Sequence, residues 1–144
     1  MRLWCQQLLP YIDRQRLLSQ HRECAALRGK GWGKKHAIVD YVFKQDPALL
    51  VAYHYLVMDE MKRRGYNPDE IWRNPCYRGK SLPMQWDFAD ADFVDDQYVY
   101  ATKKGGIIYP EHNDEYLAEC IRLLKEKNAP IDWEKVVQDG LDKV

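Results

Sequence analysis

Serine is nearly missing from this chain of 144 residues, where only Ser19 and Ser81 occur. The G-x-S-x-G elbow of serine hydrolases is therefore excluded, and "GKGWGKK" at Gly29 to Lys35 lacks the G-x-x-x-x-G-K-[ST] spacing of a nucleotide phosphate loop. Cys5, Cys24, Cys76 and Cys120 stand far apart with no C-x-x-C pair, so neither a zinc site nor a thioredoxin-type motif is indicated, and reduced, buried thiols are expected. His21, His36, His54 and His112 show no H-E-x-x-H or H-x-x-x-H spacing, and no metal is expected. The acidic run "DADFVDD" lacks the glycine and closing glutamate of a calcium loop and reads as a solvated loop. No apolar run approaches the roughly 18 to 20 residues of a membrane span, and "MRLWCQQLLPY" does not have the form of a signal peptide. A cytoplasmic protein with no membrane partner is expected.

Net charge is also absent, yet that zero conceals a division. Residues 1–80 carry 15 Lys and Arg against 8 Asp and Glu, a balance of +7; residues 81–144 carry 7 against 14, a balance of −7. A basic half suggests a surface that meets an anion, with phosphate the leading candidate. The competing explanation is that the halves neutralise one another through ion pairs.

Helical periodicity dominates the pattern. Asp13 caps a first helix that stops at Gly29, with Leu17, Leu18, His21, Cys24 and Ala25 on its apolar face and Arg16, Gln20, Glu23 and Leu27 opposite. Asp46-Pro47 opens a second helix that ends at Gly65 after Lys62, Arg63 and Arg64, burying a stripe from Leu49 to Met61. A short helix is expected after Asn67-Pro68, and two more at about 113–127 and 132–142. Gly105-Gly106 suggests the turn of a short hairpin near 98–109. The fold class expected is all-α, one domain over 1–144 with long loops.

What remains for chemistry is Glu23 on a polar helix face beside Arg22, and a basic glycine-rich loop holding Lys30, Trp32, Lys34 and Lys35. Lys and Arg bind phosphates, aromatic rings enter distorted base stacks, and glycines let backbone amides approach a ligand. Nucleic acid is the partner these residues favour. For Trp32 alone, core packing is the plain alternative.

These segments resemble a known family, the pyrimidine dimer DNA glycosylases related to phage endonuclease V. "QRLLSQHREC" is similar to the family helix that carries an Arg-Glu pair, which places Arg22 on the phosphate-binding arginine and Glu23 on the catalytic glutamate. "LVMDEMKRRGYN" resembles its long helix ending in Lys-Arg-Gly-aromatic, and "CYRGK", with Arg78, resembles a following turn. The resemblance covers roughly residues 1–80.

It implies a DNA glycosylase with AP lyase activity that needs no cofactor and acts, as a monomer, on double-stranded DNA containing damaged or abasic nucleotides. The location it implies is cytoplasmic, nucleoid-associated in a prokaryote or phage-infected cell. In that family the free α-amine attacks the anomeric carbon, displaces the base and forms a Schiff base, after which β-elimination breaks the strand. An α-amine, with an ordinary pKa near 8, suits this task better than a lysine near 10.4. Aligned on the family's mature start, Met1 supplies the amine and Arg2 follows in a matching place. The bulk of Arg2 is expected to keep Met1 in place. The implied site is Met1 and Glu23 for catalysis, with Arg2, Arg16, Arg22, Lys30, Trp32, Lys34, Lys35 and Arg78 on DNA. The chain departs from the family at Arg16, where a histidine is expected, at Ala26, where a second arginine is expected, and in its acidic second half, which lacks an aromatic-rich tail. A non-catalytic nucleic-acid-binding module on the same scaffold is the alternative, and a third reading makes Glu23 merely the ion-pair partner of Arg16 or Arg22.

Overall fold

A computed structural model describes residues 1–143. Helices α1 (Arg14–Arg28), α2 (Asp40–Lys44), α3 (Pro47–Arg63), α4 (Ala91–Lys104), α5 (Asp114–Glu126) and α6 (Trp133–Gln138) are joined by loops and two 3₁₀ turns, Gln6–Leu8 and Glu70–Arg73. No strand occurs among the described residues. The fold is all-α.

Most helix starts follow from one device. The side chains of Asp13, Asp46, Asp90, Asn113 and Asp132 each accept a backbone N–H from the first turn of α1, α3, α4, α5 and α6. Such caps satisfy amides that have no partner inside the helix, at about 1 kcal/mol apiece. Pro47 at the first position of α3 loses no hydrogen bond, because that N–H would be unpaired anyway.

The long helix α3 is the axis of the molecule. It is buried nearly all round, from Ala48 through Tyr55 and again at Val57, Met58 and Met61, because α1 packs on one side and α4 on another. Residues from both halves share this core: Leu3, Leu17 and Leu50 meet Val94, Tyr109 and Leu124. All four cysteines are buried and free, and burial pushes the Cys5 thiol up to about 11.

The acidic run Asp90 to Asp96 is no loop but the cap and opening turns of α4, and three further sequence expectations need correction. The segment 98–109 is no hairpin: α4 runs through Lys104, and Gly105 ends it in the left-handed region at φ 67°. Gly106 then lies against the Tyr100 ring so closely that a Cβ would collide with it. The glycine pair is a helix stop, whose composition a hairpin turn shares. Secondly, the buried side of α1 is Leu17, Gln20, Cys24, Leu27 and Arg28, so Gln20 and Leu27 point inward while Leu18, His21 and Ala25 lie at the margin. The N-terminal segment covers a flank of α1 that hydrophobicity alone assigned to solvent. Thirdly, the final helix is shorter than 132–142, ending at Gln138.

Candidate active site at the amino terminus

The first residues of the chain are strapped across α1 by a single glutamine. Gln20, fully buried, accepts the Trp4 N–H at 2.6 Å and the Tyr53 hydroxyl at 3.1 Å through Oε1. Its Nε2 donates to the Arg2 carbonyl at 2.9 Å and to the Glu23 carboxylate at 3.0 Å. The one Tyr53 hydroxyl hydrogen is shared between Gln20 and the Trp4 carbonyl, which is the nearer at 2.6 Å, and Tyr116 donates to the Leu3 carbonyl at 2.5 Å. Backbone groups of three successive residues are thereby held by α1, α3 and α5.

Glu23 sits half-buried beside this strap. Burial raises its pKa, opposed by the Arg2 backbone N–H, the positive α-amine of Met1, the Arg22 guanidinium and the Gln20 amide. The α-amine is three covalent bonds from the Arg2 N–H, a path of about 4.3 Å at most. Met1 itself is exposed, at 47%. Amine and carboxylate are thus neighbours at an open surface, where burial holds the carboxyl pKa above its ordinary value.

The other expected residues are scattered in their commitments. The Arg2 side chain turns away toward α5, lying over the Tyr116 ring at 5.6 Å and 3.8 Å from Glu119. Arg16 is bound to its own cap, Asp13, at 3.2 Å. Arg22 is exposed and bonds Ser19 at 3.0 Å, so neither arginine is the ion-pair partner of Glu23. Trp32 is half-buried, edge-on to Phe43 and Phe88 at ring distances of 5.1 and 5.4 Å. Arg78 donates to the carbonyls of Arg28 and Gly29 at 2.7 and 3.0 Å, closing the end of α1, and stacks on Phe88. Lys30, Lys34 and Lys35 are exposed on the loop that follows, with no ion pair among the described residues. The loop glycines serve the protein's own backbone: a Cβ on Gly29 would lie 2.7 Å from the Arg78 carbonyl, and one on Gly31 2.7 Å from that of Ala26.

Sequence reasoning missed Gln20, Tyr53 and the buried Arg28. The signal for Gln20 was its position three residues before Glu23, on the same side of one helix turn. A groove of about 670 Å³ lies elsewhere, lined by residues including Gln7, Leu117, Ile121 and Leu141.

A family model for pyrimidine dimer DNA glycosylases matches residues 1–74, from the strapped terminus through α1 and α3. The chain belongs to that family. No curated protein and no solved structure matches it individually. Membership implies a DNA repair glycosylase acting on pyrimidine dimers in damaged DNA. Met1, Glu23, Gln20 and the lysine loop all lie inside the matched segment, whereas Arg78 and α4 to α6 lie outside it. Among the described residues no helix is long and apolar enough to cross a membrane.

Proposed function

We propose that this family member is a DNA glycosylase with AP lyase activity whose nucleophile is the α-amine of Met1 and whose acid–base group is Glu23. The observation that carries the proposal is the strap: Gln20 holds the Arg2 carbonyl and the Glu23 carboxylate with one amide group, so terminus and carboxylate share one frame. A neutral amine attacks C1′ of the damaged nucleotide, the C1′–N bond breaks, and the base leaves with its electron pair. Loss of one amine proton, followed by departure of the ring oxygen O4′ from C1′ as it takes up a proton, gives an iminium ion that keeps the other N–H. Abstraction of a proton from C2′ then expels the 3′ phosphate.

Glu23 serves each stage. Ionised, it stabilises the positive charge that develops on the sugar and then on the imine, and its pKa, raised by burial, makes it a stronger base for the proton transfers that follow. The substrate nucleotide must leave the base stack, at a cost of a few kcal/mol that a damaged site lowers. Contacts from Arg22, Lys30, Lys34 and Lys35 to the backbone offset that cost. Arg16, Trp32 and Arg78 shape the face through their own internal contacts, and Arg2 contributes its backbone.

Borohydride reduction of a mixture with abasic or dimer-containing duplex tests this. A covalent protein–DNA adduct is expected with a free amino terminus, and none after terminal acetylation or in Glu23→Gln. Salt-sensitive binding with no adduct on either substrate would instead identify a non-catalytic binding module.

A further inference from the structure

Behind the exposed face of α1 runs a line of hydrogen-bonded side chains for which the amine chemistry has no use. Arg28 is wholly buried. Its Nη1 donates to the Trp72 carbonyl at 2.8 Å and contacts His54 Nδ1 at 3.0 Å, and its Nη2 donates to the carbonyls of Asn74 and Tyr77 at 2.7 and 3.1 Å. A guanidinium only donates, so His54 Nδ1 accepts, and the hydrogen of neutral His54 sits on Nε2. That nitrogen lies 2.7 Å from His21 Nδ1. His21 must accept there, which leaves its own hydrogen on Nε2.

Burial and the nearby arginines keep both rings neutral: the pKa of His54 is driven well below its ordinary value by burial and then Arg28, and that of His21 is lowered by burial and then Arg22. His21 Nε2 has no partner among the described residues. The buried unpartnered side-chain atoms are Arg28 Nε and the Tyr109 hydroxyl, so the outer nitrogen of His21 is open to solvent.

Its place on the helix gives this donor a direction. At about 100° per residue, Arg22 points outward from α1 while Glu23 and His21 flank it on either side. The arc between them holds the exposed Gln15, Arg22 and Ala26 and the half-buried Leu18, Ser19 and Ala25. DNA that presents a sugar to Glu23 across this arc brings a different stretch of backbone to the opposite rim.

We infer that His21 is a phosphate-binding residue, its Nε2–H fixed as donor by the Arg28–His54 line and directed at a DNA phosphodiester across α1 from the reacting sugar. The inference rests on the DNA reading of this face. It assigns His21 a contact different in kind from those of the lysines: a neutral donor adds affinity and displaces no counterion.

Two measurements on the full-length protein test it. Nitrogen-15 NMR of the free protein is expected to show both His21 and His54 neutral with the hydrogen on Nε2; a hydrogen on Nδ1, or a doubly protonated ring, at neutral pH overturns the assignment. Binding is then measured on abasic duplexes in which single phosphates are replaced by methylphosphonate. His21→Ala is expected to weaken binding about tenfold, as for loss of a hydrogen bond to a charged group, with the salt slope unchanged. One methylphosphonate position should weaken wild type and not His21→Ala, and His21→Gln, which keeps a donor, should recover part of the loss. If wild type forms the borohydride adduct while His21→Ala shows the same phosphate pattern and affinity, this inference falls and the proposed function stands. If wild type forms no adduct, the proposed function falls, and the NMR result still judges the side-chain line.

Discussion

At the scale of single residues, Glu23 is held in a state that opposes stability. Its pKa is raised in the fold by burial, so the native state binds a proton more tightly than the unfolded chain does. Stability therefore falls as pH rises through the interval between the unfolded and folded values, and remains reduced above it. Glu23→Gln is expected to melt at a higher temperature than wild type at pH 8, with the difference shrinking toward pH 4, while losing all adduct formation; thermal melts at the two pH values check the first half. Gln20 makes the opposite case. Gln20→Ala strips partners from the Trp4 amide and the Tyr53 hydroxyl and releases Arg2, which should cost about 2 to 3 kcal/mol in urea unfolding and lower the trapping rate as the terminus loosens. The Arg22-Glu23 pair was legible because "QRLLSQHREC" resembles the family helix that carries it, and not from charge alone. Gln20 was not, because polarity alone sends a glutamine to solvent, and only the strap over it makes burial favourable.

At the scale of elements, sequence signals worked where one residue has one local task. Asp13 and Asp46 each bond an amide two or three residues ahead, and no distant contact alters that geometry. Gly105-Gly106 failed as a signal because left-handed backbone ends helices and turns hairpins alike. The structure separates the two glycines: Gly105 is needed for its angle and Gly106 for its missing Cβ. Gly105→Ala should cost about 1 kcal/mol for placing a side chain in left-handed backbone. Gly106→Ala should cost more, about 1 to 3 kcal/mol, as the Tyr100 ring is displaced. Urea midpoints of the two variants give the comparison.

At the scale of the whole molecule, the two charge-opposed halves do not neutralise each other through ion pairs. Among the described residues, Arg2–Glu119 is the one salt bridge joining residues 1–80 to the rest; the others, such as Arg64–Glu60 and Lys125–Asp142, close within a half. What joins the halves is the apolar core around α3 and neutral hydrogen bonds such as Gln6 to Gly106. The asymmetry was visible in the sequence, but its partners were not, since composition carries no distances. With Lys34 left unpaired, Lys34→Glu should weaken DNA binding and reduce the magnitude of the salt slope by about one phosphate contact, measured by titration at several salt concentrations. Acid should destabilise the whole fold early. His54 is buried with its pKa driven far down, and burial lowers that of His112 from its ordinary 6.5 to about 3. Below about pH 6.5 the unfolded chain takes up protons that these folded rings refuse, so stability falls with pH by about 1.4 kcal/mol per unit for each ring. Urea unfolding at pH 7.5 and 5.5 measures the drop.

The strap across α1 takes hold of main-chain atoms: the carbonyls of Arg2, Leu3 and Trp4 and the amide of Trp4. No side chain at the first position is gripped. The fold is accordingly indifferent to which amino acid leads, while on the proposed chemistry an added residue before Met1 is expected to move the terminal nitrogen away from Glu23 and abolish trapping.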